Sequence, residues 1–317
     1  MTEGRFPVHN EQEQRGLSPQ RRTCPQPLTA RDSAVLLALD QYRYLDREHI
    51  TDLFFPCRRQ AQLRLEELLR RGVIHRLPGP RWQGSPLSPS AYGLTSSGAR
   101  SVAHLHDQDP RPLCNRAYRA RQQTYHLRHD LEANRFFVKV AAGARDLDGQ
   151  GLYHWLGETA CRAAHERDGS PPSDGWGRYL LPDREITFDL EWDRGTEHAQ
   201  RIRQKASGYV RYFRGRRNAE LHHVLFVAPT RMREGELHDL VEPVLTKSVN
   251  LCHVWTTAVE TISALGWLGA LWLEVGGSPS RVAFSDMPGH PRGSRPATDS
   301  VAKERWWERR PGGGEGA

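Results

Sequence analysis

The sequence predicts a mixed α/β chain built in two units, and three observations carry that reading. Residues 29–71 hold three successive helix-like segments, followed by two short strand-like ones. Farther on, Ile186, Phe188, Leu190 and Trp192 alternate with Thr187, Asp189, Glu191 and Asp193, the period of a strand. Residues 222–228, HHVLFVA, form a nearly unbroken apolar run, as a central strand covered on both faces requires.

In chain order, residues 1–27 are polar and carry Pro7, Pro19, Pro25 and Pro27, so a disordered leader is expected. Thr29 is placed to cap the first helix, with Asp32 three residues on as in a capping box. A second helix is expected over 46–54, stopped by Pro56, and a third over 58–71, stopped by Gly72. Residues 73–77 and 92–94 read as a strand pair around a Pro/Gly/Ser tip, and 96–105 as a further helix. The basic stretch 107–122 is expected to be a linker.

The second unit, 123–276, opens with a helix over 123–142 decorated by His126, His129, Asp130 and Glu132. Then come a short strand at 153–156, a helix at 160–165 and a Gly/Pro/Ser loop at 167–177. After the alternating strand, Thr196 is placed to cap a helix holding Ile202, Lys205, Tyr209, Tyr212 and Phe213. The remaining elements are the 222–228 strand, a helix at 234–249, a strand at 253–257, a short helix to Leu265 and a last strand at 270–275. Residues 277–317 read as a disordered tail.

The chain of 317 residues is 37% hydrophobic, below the usual ~45–50%, which fits the disorder expected at both ends. Its net charge of +7 favours a polyanionic partner. Residues 29–120 hold 14 arginines, no lysines and nine acids, most of that excess. The five cysteines form no CxxC pair, which argues against a zinc knuckle or a disulfide framework and for reduced thiols in the cytoplasm. The N-terminus lacks the apolar segment of a signal peptide, and the longest apolar run, 262–275, is too short to span a bilayer.

Three helices followed by a hairpin, spelled LxxLLRRGVI…RL…YxLTxxGAR, resemble winged helix-turn-helix DNA-binding domains. In that reading 58–71 is the recognition helix, and Arg58, Arg59, Gln62 and Arg64 lie toward the end that reaches base edges. Arg76, Arg81 and Trp82 would meet phosphates from the wing. The second unit, with Pro182-Asp183, then Glu191 on a strand and Lys205 on the next helix, resembles the PD-(D/E)xK nuclease superfamily. That resemblance implies Asp183, Glu191 and Lys205 as catalytic residues, and Asp183, Glu191 and Asp193 as ligands of Mg²⁺. Asp193 stands where the superfamily's lysine would be, so Lys205 has to supply the ammonium from another backbone position.

The combination of the winged unit with HDLEANRFFVKV, DLEWDRGTE and HHVLFVAPT resembles the replication-relaxation family of plasmid and integrative-element proteins. The resemblance implies double-stranded DNA as partner, with a relaxase or another relaxosome protein beside it, and a homodimer is compatible with it. It leaves open a nuclease-like domain that is degenerate, an active Mg²⁺-dependent endonuclease, a transcriptional regulator and a relaxosome adaptor.

Overall fold

The computed structural model describes residues 27–79, 90–214, 221–245 and 252–292. Residues 1–26 of the expected leader, the Pro/Gly/Ser tip of the strand pair with Arg81 and Trp82, and the expected tail from 293 on lie outside them.

The N-terminal unit runs α1 (Ala30–Tyr42), β1 (Leu45–Asp46), α2 (Arg47–Phe54), α3 (Arg58–Arg70), β2 (Ile74–Leu77), β3 (Ala91–Leu94) and α4 (Ser96–Leu105). Thr29 and Asp32 form the capping box anticipated for α1, each side chain bonded to the other's backbone N–H. Asp46 and His49 repeat the device at α2. Gly72 ends α3 with φ +68°, a value that favours a residue without Cβ. The three strands form an antiparallel sheet in the order β1-β3-β2.

The stretch expected as a linker is instead a helix, α5 (Pro110–Gln122). Asp109 caps it by accepting from the Arg111 N–H, and Pro110 sits in the first turn, where its missing N–H is harmless. Leu113 and Ala117 are its buried stripe, packed against α4 and β3.

The second unit is a mixed seven-stranded sheet with helices on both faces. It runs α6 (Leu127–Gly143), β4 (Gly151–Gly157), α7 (Glu158–Asp168), β5 (Gly175–Leu180), β6 (Arg184–Trp192), α8 (Ala199–Arg214), β7 (His223–Ala228), α9 (Arg231–Leu245), β8 (His253–Ala258), α10 (Val259–Leu265), β9 (Leu273–Glu274) and β10 (His290–Pro291). The strand order is β4-β5-β6-β7-β8-β9. Strands β4, β5 and β6 are antiparallel, whereas β6, β7 and β8 run parallel through the crossover helices α8 and α9.

Strand β5 falls partly on residues read as loop, because Gly175 and Gly177 look like breakers. They are packing devices. A Cβ at Gly175 would run into the Phe137 ring, and one at Gly177 into the Phe188 ring. The expected tail also begins too early. Phe284 and Met287 are buried in the core, and His290–Pro291 pair with Glu185 and Arg184 of β6.

The apolar face of β6 (Ile186, Phe188, Leu190, Trp192) meets α6 through Phe136 and Phe137, and that core continues without a break to Val35 and Leu39 of α1. Tyr42 of α1 stacks on Trp155 of β4 with ring centroids 4.3 Å apart. A second core on the opposite face joins α8, β7, α9 and β8. Among the described residues no helix is long and apolar enough to cross a membrane.

Candidate functional site

Strand β6 is covered on both faces, so the acids that alternate with its apolar residues are buried and not solvated. Adjacent buried carboxylates repel, and each must find a cation or a proton. Each has its own solution. Asp189 accepts from His222 Nε2 and from Ser173 Oγ, both at 2.6 Å. Asp193 takes Arg233 Nε at 2.6 Å and the Gly195 N–H at 2.9 Å, in a turn where Gly195 has φ +73°. Glu191, 2% exposed, accepts from Tyr209 Oη at 2.6 Å and lies 2.9 Å from Lys205 Nζ.

Lys205 and Tyr209 are four residues apart on α8, so one helix face delivers both to the same carboxylate. Lys205 also pairs with Glu197 Oε1 at 2.9 Å. Asp174 directly precedes β5, and its N–H bonds to the Leu190 carbonyl, which sets it across from Glu191. Asp174 accepts from the Trp192 N–H at 2.7 Å and from His129 Nε2 of α6 at 2.8 Å. Next to it, buried Asp130 holds Arg43 of the N-terminal unit at 3.4 Å.

Burial pushes the Glu191 carboxyl up to about 7; Lys205 draws it back, the Asp174 charge adds to the rise, and Tyr209 opposes it. Burial would strip the proton from Lys205, but Glu191, Asp174 and Glu197 outweigh it and hold the ammonium charged. Asp130 is raised to about 7 by burial, against the pull of Arg43 and with the help of neighbouring Glu158. His129 goes the other way. Burial disfavours its charge, yet the Asp174 hydrogen bond and charge lift it to about 9.

The direction for His129 sets a pH dependence. Its pKa in the folded chain lies above the ordinary 6.5, so its stabilisation is complete below 6.5 and fades as pH rises through about 9. Urea unfolding between pH 6.5 and 9.5 is expected to lose roughly 2–3 kcal/mol from this group. His129→Gln should flatten that part of the profile; an unchanged slope would assign it to another group.

Outward from Glu191 the site opens into a cleft of about 790 Å³ between α8 and the α7–β5 loop. Arg201, Lys205 and Arg211 line its α8 wall, and Pro171 and Pro172 the other. A family model for replication-relaxation proteins matches residues 36–226, which runs from within α1 through the rest of the N-terminal unit and α6 to this acid–lysine centre. The chain belongs to the replication-relaxation family. That membership ties it to the replication or relaxation of a plasmid or comparable element. Comparison with curated proteins gave no match.

In this replication-relaxation protein, the residues singled out from the sequence separate into distinct places. Glu191 and Lys205 meet, but Asp183 does not join them. It sits in the β5–β6 turn, exposed and paired with Arg184, at the far end of the strand from Glu191. Eight residues of strand separate them by about 26 Å. The acid that faces Glu191 is Asp174, at the opposite end of the same hairpin. Asp193 is held by Arg233, which also donates to the carbonyl of Glu197, the second carboxylate on Lys205.

Mg²⁺ takes about six oxygen ligands in near-octahedral array. Asp174 is engaged by His129 and the Trp192 N–H, and Glu191 Oε1 by Tyr209; Glu191 Oε2 makes no well-directed hydrogen bond, but the Lys205 ammonium stands 2.9 Å from it, where a metal cation would have to sit. Among the described residues no three His, Cys, Asp or Glu side chains are placed to hold a metal ion. The donor set therefore does not fit the ion that the nuclease resemblance implies.

On α3, Arg58, Arg59 and Gln62 are exposed. Gln62 bonds Arg47 and Glu66. Arg64 is engaged by the buried Asp32 carboxylate through two nitrogens, so it braces α3 against α1. Arg76 is exposed on β2.

Proposed function

We propose that this protein binds duplex DNA during replication or relaxation of a plasmid or integrative element. The N-terminal unit, read as a winged helix-turn-helix, supplies the affinity. The second unit, read as a nuclease-like fold, carries an acid–lysine centre that stabilises the fold and does not cut. The observation that carries this reading is the first turn of α3. Arg58 and Arg59 stand exposed there, and among the described residues neither has a carboxylate partner. Helix N-terminal side chains of this type reach base edges and phosphates in the major groove. Replacing both with alanine is expected to weaken duplex binding at least ~10-fold and to lower its salt dependence. A gel shift identical to wild type would remove the reading.

One observation favours a rival, an Mg²⁺-dependent endonuclease. Asp174 and Glu191 face each other beside Lys205 at the foot of an arginine-lined cleft. The Lys205 ammonium against Glu191, and the lack of a third metal-ligating side chain beside the two among the described residues, count against it. Wild type and Glu191→Gln are expected to leave supercoiled plasmid equally intact in Mg²⁺ or Mn²⁺. Nicking by wild type alone would make the rival the better account.

A further inference from the structure

Helix α5 carries Arg111, Arg116, Arg119 and Arg121 and no acid. Arg116 is paired with Asp40 of α1 at 2.5 Å. The other three are exposed, and among the described residues no carboxylate lies within pairing distance of them. Arg111, Asn115, Tyr118, Arg119 and Gln122 follow helical spacing and form one outward stripe, with Tyr118 62% exposed. A solvated helix face usually mixes charges, with acids spaced to pair with the bases. This one presents cations, neutral amides and an aromatic ring, and no carboxylate.

The helix is held in a fixed attitude against the strand pair of the N-terminal unit. Tyr44 Oη donates to the Ala120 carbonyl, and Arg43 donates to the Gln123 carbonyl at 2.9 Å. Ala120 packs in one small cluster with Leu77 at the end of β2 and Ala91 at the start of β3. Arg121 lies close enough to His75 on β2 that, after burial, its charge is the next cause lowering that imidazole. The C-terminal half of α5 thus flanks the hairpin on which Arg76 is exposed.

We propose that the outer stripe of α5, together with the exposed Arg121 at its hairpin edge, is a second duplex-DNA contact, laid against the phosphate backbone beside the hairpin and lengthening the footprint of the N-terminal unit. It rests on the DNA-binding reading above. Charge complementarity selects the occupant. The stripe is about 16 Å long, and a duplex presents one negative charge per ~1.7 Å of its axis. Arginine and tyrosine are suited to phosphate and sugar contacts that position a protein without reading sequence.

The test measures binding of the full chain to a short duplex of arbitrary sequence across a salt series. The variants are Arg111→Gln/Arg119→Gln/Arg121→Gln and, separately, Arg58→Ala/Arg59→Ala, with helix content checked by circular dichroism. The α5 variant should reduce the slope of log K against log salt by roughly 2–3 and weaken binding about 10-fold or more, equally on unrelated sequences. A single Arg119→Glu reversal, which leaves the buried face of α5 untouched, should weaken binding in the same direction. If the α5 variants keep the wild-type slope while the α3 variant loses binding, the DNA reading stands and the α5 contact is overturned; the stripe would then face a protein partner. If wild type binds no duplex at all, both fall together.

Discussion

Lys205→Met is expected to cost about 3–5 kcal/mol of unfolding free energy, measured by urea or guanidinium titration near pH 7. Among the described residues the lysine is the only cation paired with Glu191, and it also neutralises Glu197. Removing it leaves Glu191, 2% exposed and next to Asp174, without a compensating charge. The Tyr209 hydroxyl offsets only part of that loss. The second variant in the series decides the cause. Lys205→Met with Glu191→Gln removes both charges while preserving volume, and should recover a substantial part of the loss, because a neutral amide still accepts from Tyr209. If the single variant is as stable as wild type, the ion pair is not what holds α8 against β6, and the acid–lysine centre needs a different purpose.

Trp155→Ala should cost a similar amount, about 3–5 kcal/mol, by the removal of a large buried ring. Its ring is wholly buried, stacked on Tyr42 at 4.3 Å and on Phe137 at 5.9 Å. Its backbone carbonyl accepts from Gln41 Nε2 at 3.1 Å. Trp155 therefore joins α1 of the N-terminal unit to α6 of the sheet domain. Wild type is expected to unfold in one transition by both circular dichroism and tryptophan fluorescence. Trp155→Ala is expected to separate the two probes, with the N-terminal unit melting first. Coincident transitions in the variant would show that the remaining contacts suffice to couple the units.

Much of the fold was legible because it is written in local signals. The Thr29–Asp32 capping box, the stop at Pro56, Gly72 and the period-two run from Ile186 to Trp192 all rest on neighbours within a few residues. The Glu191–Lys205 pairing was legible too, from one lysine in a lysine-poor chain on the helix after an acidic strand. What failed depends on distant partners. Gly175 and Gly177 read as loop because the rings that require them belong to α6 and β6. Asp174 stayed hidden because only the β5–β6 register sets it across from Glu191, while Asp183 drew attention through a local Pro-Asp spelling. Helix α5 was hidden by its arginines, although Asp109 before Pro110 is a start signal readable from the sequence. The opposite partners of Asp189 and Asp193, His222 and Arg233, lie on later elements and carry no mark of their role.

The pairing of β10 with β6 bears on how the chain matures. Glu185, in the middle of the sheet, waits for His290, more than a hundred residues later in synthesis. His223 and His290 then tie the same segment down through the Pro288 and Leu221 carbonyls, each at 2.9 Å. Until residues 284–291 have left the ribosome, one flank of β6 lies open with its N–H and C=O groups unpaired, a template for a neighbouring chain. A fragment ended at Gly276, where composition alone would place the boundary, would keep that edge open permanently and should associate through it.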